Sequence, residues 1–235
     1  MARRLRQLAL KLKDRPRWGG RRKNAGRKCG PNPGLRHSSR EKFGTPLPAH
    51  VTLRLRRDAP SLRMVPIVRE IERTFAVGCE RSDFRLVHYS LQDTHAHLIV
   101  EARDRHALGR GMKSIAARLA RAVNRVASRT GRVLDDRYHM RLLSTPREVR
   151  NALRYVLLNA RHHAVAARAA IRAAVRLDPA SSAHWFEGWK WKPPVTGNDR
   201  ARGPSDRRPV ARARTWLLSV GWRRNGLLDP ADVPG

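Results

Sequence analysis

The chain has 235 residues, with 51 Lys and Arg against 19 Asp and Glu, a formal charge of +32. An excess of that size opposes compaction unless a polyanion neutralises it, and nucleic acid fits better than a membrane surface because clustered Arg and Lys release phosphate counterions. The length allows one domain with extensions, and no run reaches the roughly 18 apolar residues of a spanning helix.

Lys11 and Lys13 interrupt the short apolar stretch of MARRLRQLALKLKDRPRW, so no signal-peptide core is expected. The protein is therefore expected in the cytoplasm, associated with the nucleoid and not with a membrane. Cys29 and Cys79 are the only cysteines, with no C-x-x-C neighbour, which argues against both a disulfide framework and a thiolate zinc site. Residues 1–47 carry fifteen Lys and Arg against Asp14 and Glu41, a net +13, interspersed with Gly19, Gly20, Gly26, Gly30, Pro31 and Pro33. Such a segment cannot fold alone. It reads as a flexible basic arm that orders on DNA or RNA, with a merely solvated tail as the alternative.

Pattern begins at His50, where Val51, Leu53 and Leu55 alternate with Thr52 and Arg54 as in a half-buried strand. Pro66 suits a first helical turn, and Ile67, Val68, Ile71, Phe75 and Gly78 keep helical spacing. Residues 84–91 and 95–101 are strand-like runs joined by Gln92-Asp93-Thr94, a hairpin pattern. Residues 108–129 place Met112, Ile115, Leu119, Ala122, Val123 and Val126 on one helical face, with Gly131 as a stop. Residues 133–143 can supply a fourth strand, and Thr145-Pro146-Arg147-Glu148 is a capping box opening a helix that runs to about His163. The order is that of a ferredoxin-like split β-α-β-β-α-β sheet of the α+β class, with helices on one face and a further C-terminal helix. Its other face is left for a ligand or a covering segment. An Ala/Arg-rich helix over residues 164–175 follows, then a Pro/Ser-punctuated stretch with Trp185, Phe186, Trp189 and Trp191. A polar linker leads to a last element containing Trp216 and Trp222.

His95 and His97 share one strand face because side chains alternate with period two, whereas Ala96, Leu98 and Val100 take the other. The spacing suits one divalent ion held by neutral ring nitrogens. H-x-H alone is weak, and chance surface histidines are at least as frequent. On the last helix Val149, Ala152, Leu153, Val156, Leu157 and Ala160 form an apolar stripe, while Asn151, Tyr155, Asn159 and His162 share another face. Tyr155 is thus off the stripe, either a presented phenol or an ordinary surface tyrosine. Asn159, at i+4, reaches whatever Tyr155 reaches.

These residues resemble the single-tyrosine HUH transposases, and among them the REP-associated tyrosine transposases. The resemblance rests on His50-Val51-Thr52-Leu53-Arg54, Tyr89-Ser90-Leu91-Gln92 leading to His95-Ala96-His97-Leu98, Arg137-Tyr138-His139, and Arg154-Tyr155-Val156-Leu157-Leu158-Asn159. The Asp178-Pro179, Ser181-Ser182 and Trp185-Phe186-Glu187-Gly188-Trp189 tail is similar to that of the REP-associated branch, and Thr94 stands where many relatives carry Asn. The resemblance implies a catalytic domain over residues 48–163 and an extension over residues 164–235. It implies Tyr155 as nucleophile on single-stranded or hairpin DNA, with Mg²⁺ or Mn²⁺ held by His95, His97 and Asn159. The product is a 5′-phosphotyrosyl link. Phosphate contacts are expected from Arg110, Lys113, Arg118, Arg121 and Arg125, whose bland reading is a solvated helix face. Monomer and dimer both stay open. The competing readings are a non-catalytic DNA- or RNA-binding protein derived from such a transposase, and a metal-dependent phosphohydrolase that uses water.

Overall fold

A computed structural model describes residues 42–166, 177–193 and 207–233, with side chains omitted for residues 160–166. The basic arm up to residue 41, most of the Ala/Arg-rich segment, the linker over residues 194–206 and the His162 side chain lie outside the described residues. Strand β1 (Leu47–Arg54) is followed by α1 (Val65–Gly78), the two-residue β2 (Glu80–Arg81), β3 (Phe84–Leu91) and β4 (His95–Ala102). Then come α2 (Arg105–Val126), β5 (His139–Leu142) and α3 (Pro146–Ala166). The tail adds single turns at Ser182–Trp185 and Gly221–Asn225 and a short α4 (Trp216–Ser219).

The five strands lie in the order β2-β3-β4-β1-β5, with every neighbouring pair antiparallel. This is the expected split topology with a small extra edge strand. Helix α1 buries Ile67, Val68, Ile71 and Phe75, and α2 buries Met112, Ile115 and Leu119, together with Val51, Leu53, Leu98 and Val100 of the sheet. The opposite face is covered too. Val87 and Ile99 pack there with Val149, Leu153, Val156 and Leu157 of α3, and with Phe186, Leu218, Trp222 and Leu228 of the tail. Strands β3 and β4 are therefore buried on both sides. Among the described residues no helix is long and apolar enough to cross a membrane.

Two of the element boundaries that differ from the sequence expectation have a visible cause. Helix α2 starts at Arg105 because the Asp104 carboxylate accepts the amides of His106 and Ala107, both at 2.8 Å, capping the first turn before its apolar stripe begins. The fourth strand is short: after a single bridge from Leu134 to Leu55, pairing resumes only at His139. Between them Asp136 accepts its neighbour's amide at 2.6 Å and Arg132 donates to the Asp135 carbonyl at 2.8 Å, local bonds that compete with a ladder.

The tail is tied down by polar locks. The Arg63 guanidinium donates to both oxygens of the buried Asp178 carboxylate at 2.9 and 2.8 Å. Ser182 Oγ accepts the Tyr89 amide at 2.9 Å and sits 3.1 Å from Nδ1 of the buried His88. Trp222 is 2 % exposed, and its ring packs on Phe186 at 5.4 Å. Gly188 has to be glycine for that contact, since a Cβ there would come within 2.3 Å of the indole. Trp189 donates to the Ala183 carbonyl at 3.1 Å, and Trp185 packs on the main core, so both serve as a hydrophobic staple; Trp191 remains 39 % exposed. Trp222→Ala is expected to cost about 3–5 kcal/mol, measured as a loss in the free energy of urea unfolding.

Candidate active site

The register of the sheet builds the site. Thr52 of β1 pairs with His97 of β4, His50 with Ile99, and Arg54 with His95, and directly opposed side chains share a face. Because Val51, Leu53, Ala96 and Leu98 turn toward α1 and α2, the set His50, Thr52, Arg54, His95 and His97 turns toward α3. His139 and Arg141 of β5, opposite Thr52 and His50, extend the same polar row to the sheet edge.

Helix α3 brings the tyrosine to this row, and its start is set by Glu148. That carboxylate accepts the amides of Ser144 and Thr145 at 3.0 and 3.2 Å, while Thr145 Oγ1 accepts the Glu148 amide at 3.2 Å, a reciprocal capping box. Arg141 adds an ion pair at 2.8 Å. The Ser144 amide, then Arg141 and the Ser144 hydroxyl, hold the Glu148 carboxyl down to about 2. A carboxyl lowered on folding stabilises the fold above its unfolded value of 4.5, and that contribution disappears as pH falls toward 2. Glu148→Gln is expected to cost about 1 kcal/mol at pH 7 and to flatten the acid limb below pH ~4.5, as read from urea unfolding at a series of pH values.

From that start Val149, Ala152, Leu153, Val156 and Leu157 face the core. Asn151 is exposed, Tyr155 half-buried and Asn159 fully buried, so the polar face dips into the molecule along the helix. The Tyr155 hydroxyl lies 3.4 Å from His97 Nε2, and that nitrogen lies 3.0 Å from His95 Nε2. The Tyr155 ring meets His97 edge-on at 5.0 Å and His50 at 5.8 Å. On its other side His97 Nδ1 lies 3.2 Å from both His50 Nε2 and Thr52 Oγ1. Burial, and secondarily the Arg141 charge, pushes His50 down to about 4, which keeps it neutral at pH 7.

Three observations bear on a metal. The two Nε2 atoms lie 3.0 Å apart, close enough for both imidazoles to ligate one ion. Asn159 is fully buried, yet neither its Oδ1 nor its Nδ2 has a hydrogen-bond partner among the described residues. Such a group costs about 1–3 kcal/mol unless something binds it. Against this, no cluster of three or more His, Cys, Asp or Glu among the described residues is arranged to hold an ion. An ion here would rest on two imidazoles, with oxygen supplied by an amide or by DNA.

No family model matches the chain, and no curated protein matches it. The chain is similar to a REP-associated tyrosine transposase. That solved structure, bound to a REP hairpin, is 13% identical, covers 64% of this chain and 84% of its own, and superposes with a TM-score of 0.48. A protein from Deinococcus radiodurans assigned as a transposase is 16% identical, covering 46% of this chain and 86% of its own, with a TM-score of 0.34.

The arginines of α2 are placed elsewhere, on the face of the sheet opposite the histidines. Arg110 pairs with Asp83 and Arg125 with Glu70. Arg118 lies against Gly78, where a Cβ would meet its guanidinium at 2.2 Å, and donates to the Thr74 carbonyl at 3.3 Å. Lys113 and Arg121 are exposed. The structure thus brings His95, His97 and Tyr155 together and leaves the α2 set apart from them. His50, Thr52 and Arg54 went unassigned in the sequence, although strand alternation already placed the three on one face.

Proposed function

We propose that the chain is a transposase-like enzyme that cleaves and rejoins single-stranded or hairpin DNA through a covalent bond to Tyr155. The observation that carries this reading is the approach of the Tyr155 hydroxyl to 3.4 Å from His97 Nε2, itself 3.0 Å from His95 Nε2. A tyrosine beside paired imidazoles on an otherwise basic protein suits phosphoryl chemistry. Attack of the phenol oxygen on phosphorus breaks the bond to the 3′-oxygen of the departing strand. The phenol gives up its proton and the departing oxygen gains one, which leaves a 5′-phosphotyrosyl link and a free 3′-OH. Because one phosphodiester replaces another, a second strand's 3′-OH can reverse the step and join DNA.

His95, His97 and the Asn159 amide would hold Mg²⁺ or Mn²⁺, which when bound would polarise the scissile phosphate and neutralise its developing charge. The sheet and α3 fix the phenol against the histidine pair, so little ordering is left to pay at reaction. Arg54, exposed and opposite His95 in register, adds positive charge on the same face. Residues 1–47 would supply sequence-independent affinity for the phosphate backbone, and the exposed Lys113 and Arg121 would add to it from the far side of the sheet.

The test uses a hairpin with a single-stranded flank, labelled at either end, incubated with the full chain and Mn²⁺. The 5′-labelled fragment is expected to run free with a 3′-OH that a polymerase can extend, while the 3′-labelled fragment stays with protein through denaturant. Free 5′-phosphate ends with no protein-linked fragment would mean that water is the nucleophile, and binding without cleavage would leave a DNA-binding protein.

A further inference from the structure

We infer that His50 and Thr52 of β1 are positioning residues that set the tautomer and orientation of His97, an inference that rests on the role just proposed for the histidine pair. A neutral imidazole carries one N–H, and the nitrogen bearing it has no lone pair to offer. His97 Nδ1 sits 3.2 Å from both Thr52 Oγ1 and His50 Nε2, and both atoms can accept its hydrogen. Placing the hydrogen there leaves the Nε2 lone pair directed at the His95 Nε2 and Tyr155 hydroxyl side of the ring. The opposite tautomer removes the lone pair that a metal contact needs and turns Nε2 from an acceptor into a donor toward the phenol.

Both partners are rigid. Thr52 is the register partner of His97 in a continuous ladder, and its branched side chain is stiff at χ1. His50 is wedged between the two elements of the site: its ring is tilted against His97 at 5.2 Å and meets Tyr155 edge-on at 5.8 Å. His50 therefore touches both the strand that carries the histidines and the helix that carries the tyrosine, which makes it a spacer as well as an acceptor. Thr52→Val removes only the hydroxyl. His50→Phe keeps a ring and removes the acceptor, and His50→Gln restores an acceptor at the reach of the lost Nε2 without the ring.

The test is the nitrogen chemical-shift pattern of His97 in the ¹⁵N-histidine-labelled full chain, which distinguishes the two neutral tautomers without any variant. The Nδ1–H form is expected in the wild type. In Thr52→Val/His50→Phe a mixture of tautomers is expected, with Mn²⁺ affinity by calorimetry reduced about 10- to 100-fold, kcat lowered and KM for DNA little changed. Thr52→Val/His50→Gln is expected to recover much of the Nδ1–H population. An Nε2–H tautomer in the wild type overturns the inference, as does a double variant that keeps both the Nδ1–H form and wild-type Mn²⁺ affinity. The tautomer is read without DNA, metal or turnover. An Nδ1–H form that the double variant loses, in a protein that never forms a tyrosyl adduct, would uphold the positioning role and refute the proposed reaction.

Discussion

Tyr155→Phe is expected to lower cleavage of a single-stranded hairpin by at least about 10³-fold, roughly 4 kcal/mol of activation free energy, because the atom that attacks phosphorus is gone. The ring stays, so its edge contacts with His97 and His50 stay with it. Among the described residues the lost hydroxyl makes one contact of 3.4 Å, long for a hydrogen bond, so stability should change by less than about 1 kcal/mol. DNA affinity, which rests on phosphate neutralisation, should hold within about twofold. A gel assay with labelled hairpin and Mn²⁺, beside a binding isotherm, reads both quantities. Undiminished cleavage would place the nucleophile elsewhere.

His95→Ala and His97→Ala are expected to remove divalent-dependent cleavage to a similar extent, with binding nearly intact, because each takes away one of the two imidazoles that face each other at 3.0 Å. The two variants should differ in stability. His97 is 5 % exposed and touches His50, Thr52, His95 and Tyr155, so its truncation also opens a cavity and frees buried polar atoms. His95 is half-buried at the strand end, and its loss should cost less. His95→Ala is therefore the cleaner variant, and Mn²⁺ titration of cleavage separates a lost ligand from a weakened fold. Metal-dependent cleavage that survived in both variants would remove the histidine pair from the chemistry.

The parts of this structure that sequence could reveal are those encoded locally. Helix α1 was legible from Ile67, Val68, Ile71 and Phe75, and the hairpin of β3 and β4 from two apolar runs around a polar turn. The start of α3 was legible from Thr145 and Glu148. Tyr155 stood out because it broke the apolar stripe, and His95 and His97 because strand period put them on one face. What stayed hidden depends on partners far along the chain. The pairing of Arg110 with Asp83 and of Arg125 with Glu70 stayed hidden because the acids lie 27 and 55 residues away in sequence. The burial of Asn159 depends on how deep α3 runs, which periodicity does not report. The contacts of His50 and Thr52 with His97 depend on the register of β1 against β4, a pairing across more than forty residues. Residues 133–143 were read as one strand, whereas regular pairing begins only at His139, after the local bonds of Arg132 and Asp136.

The most direct measurement is the site of covalent attachment. Full-length protein incubated with a single-stranded hairpin and Mn²⁺, then denatured and digested with nuclease and protease, is expected to yield one nucleotide-bearing peptide by mass spectrometry, the one containing Tyr155. An adduct on Tyr89 or Tyr138, the only other tyrosines, would contradict the assignment of the nucleophile to α3. Cleavage with no adduct on any tyrosine would contradict the covalent mechanism itself.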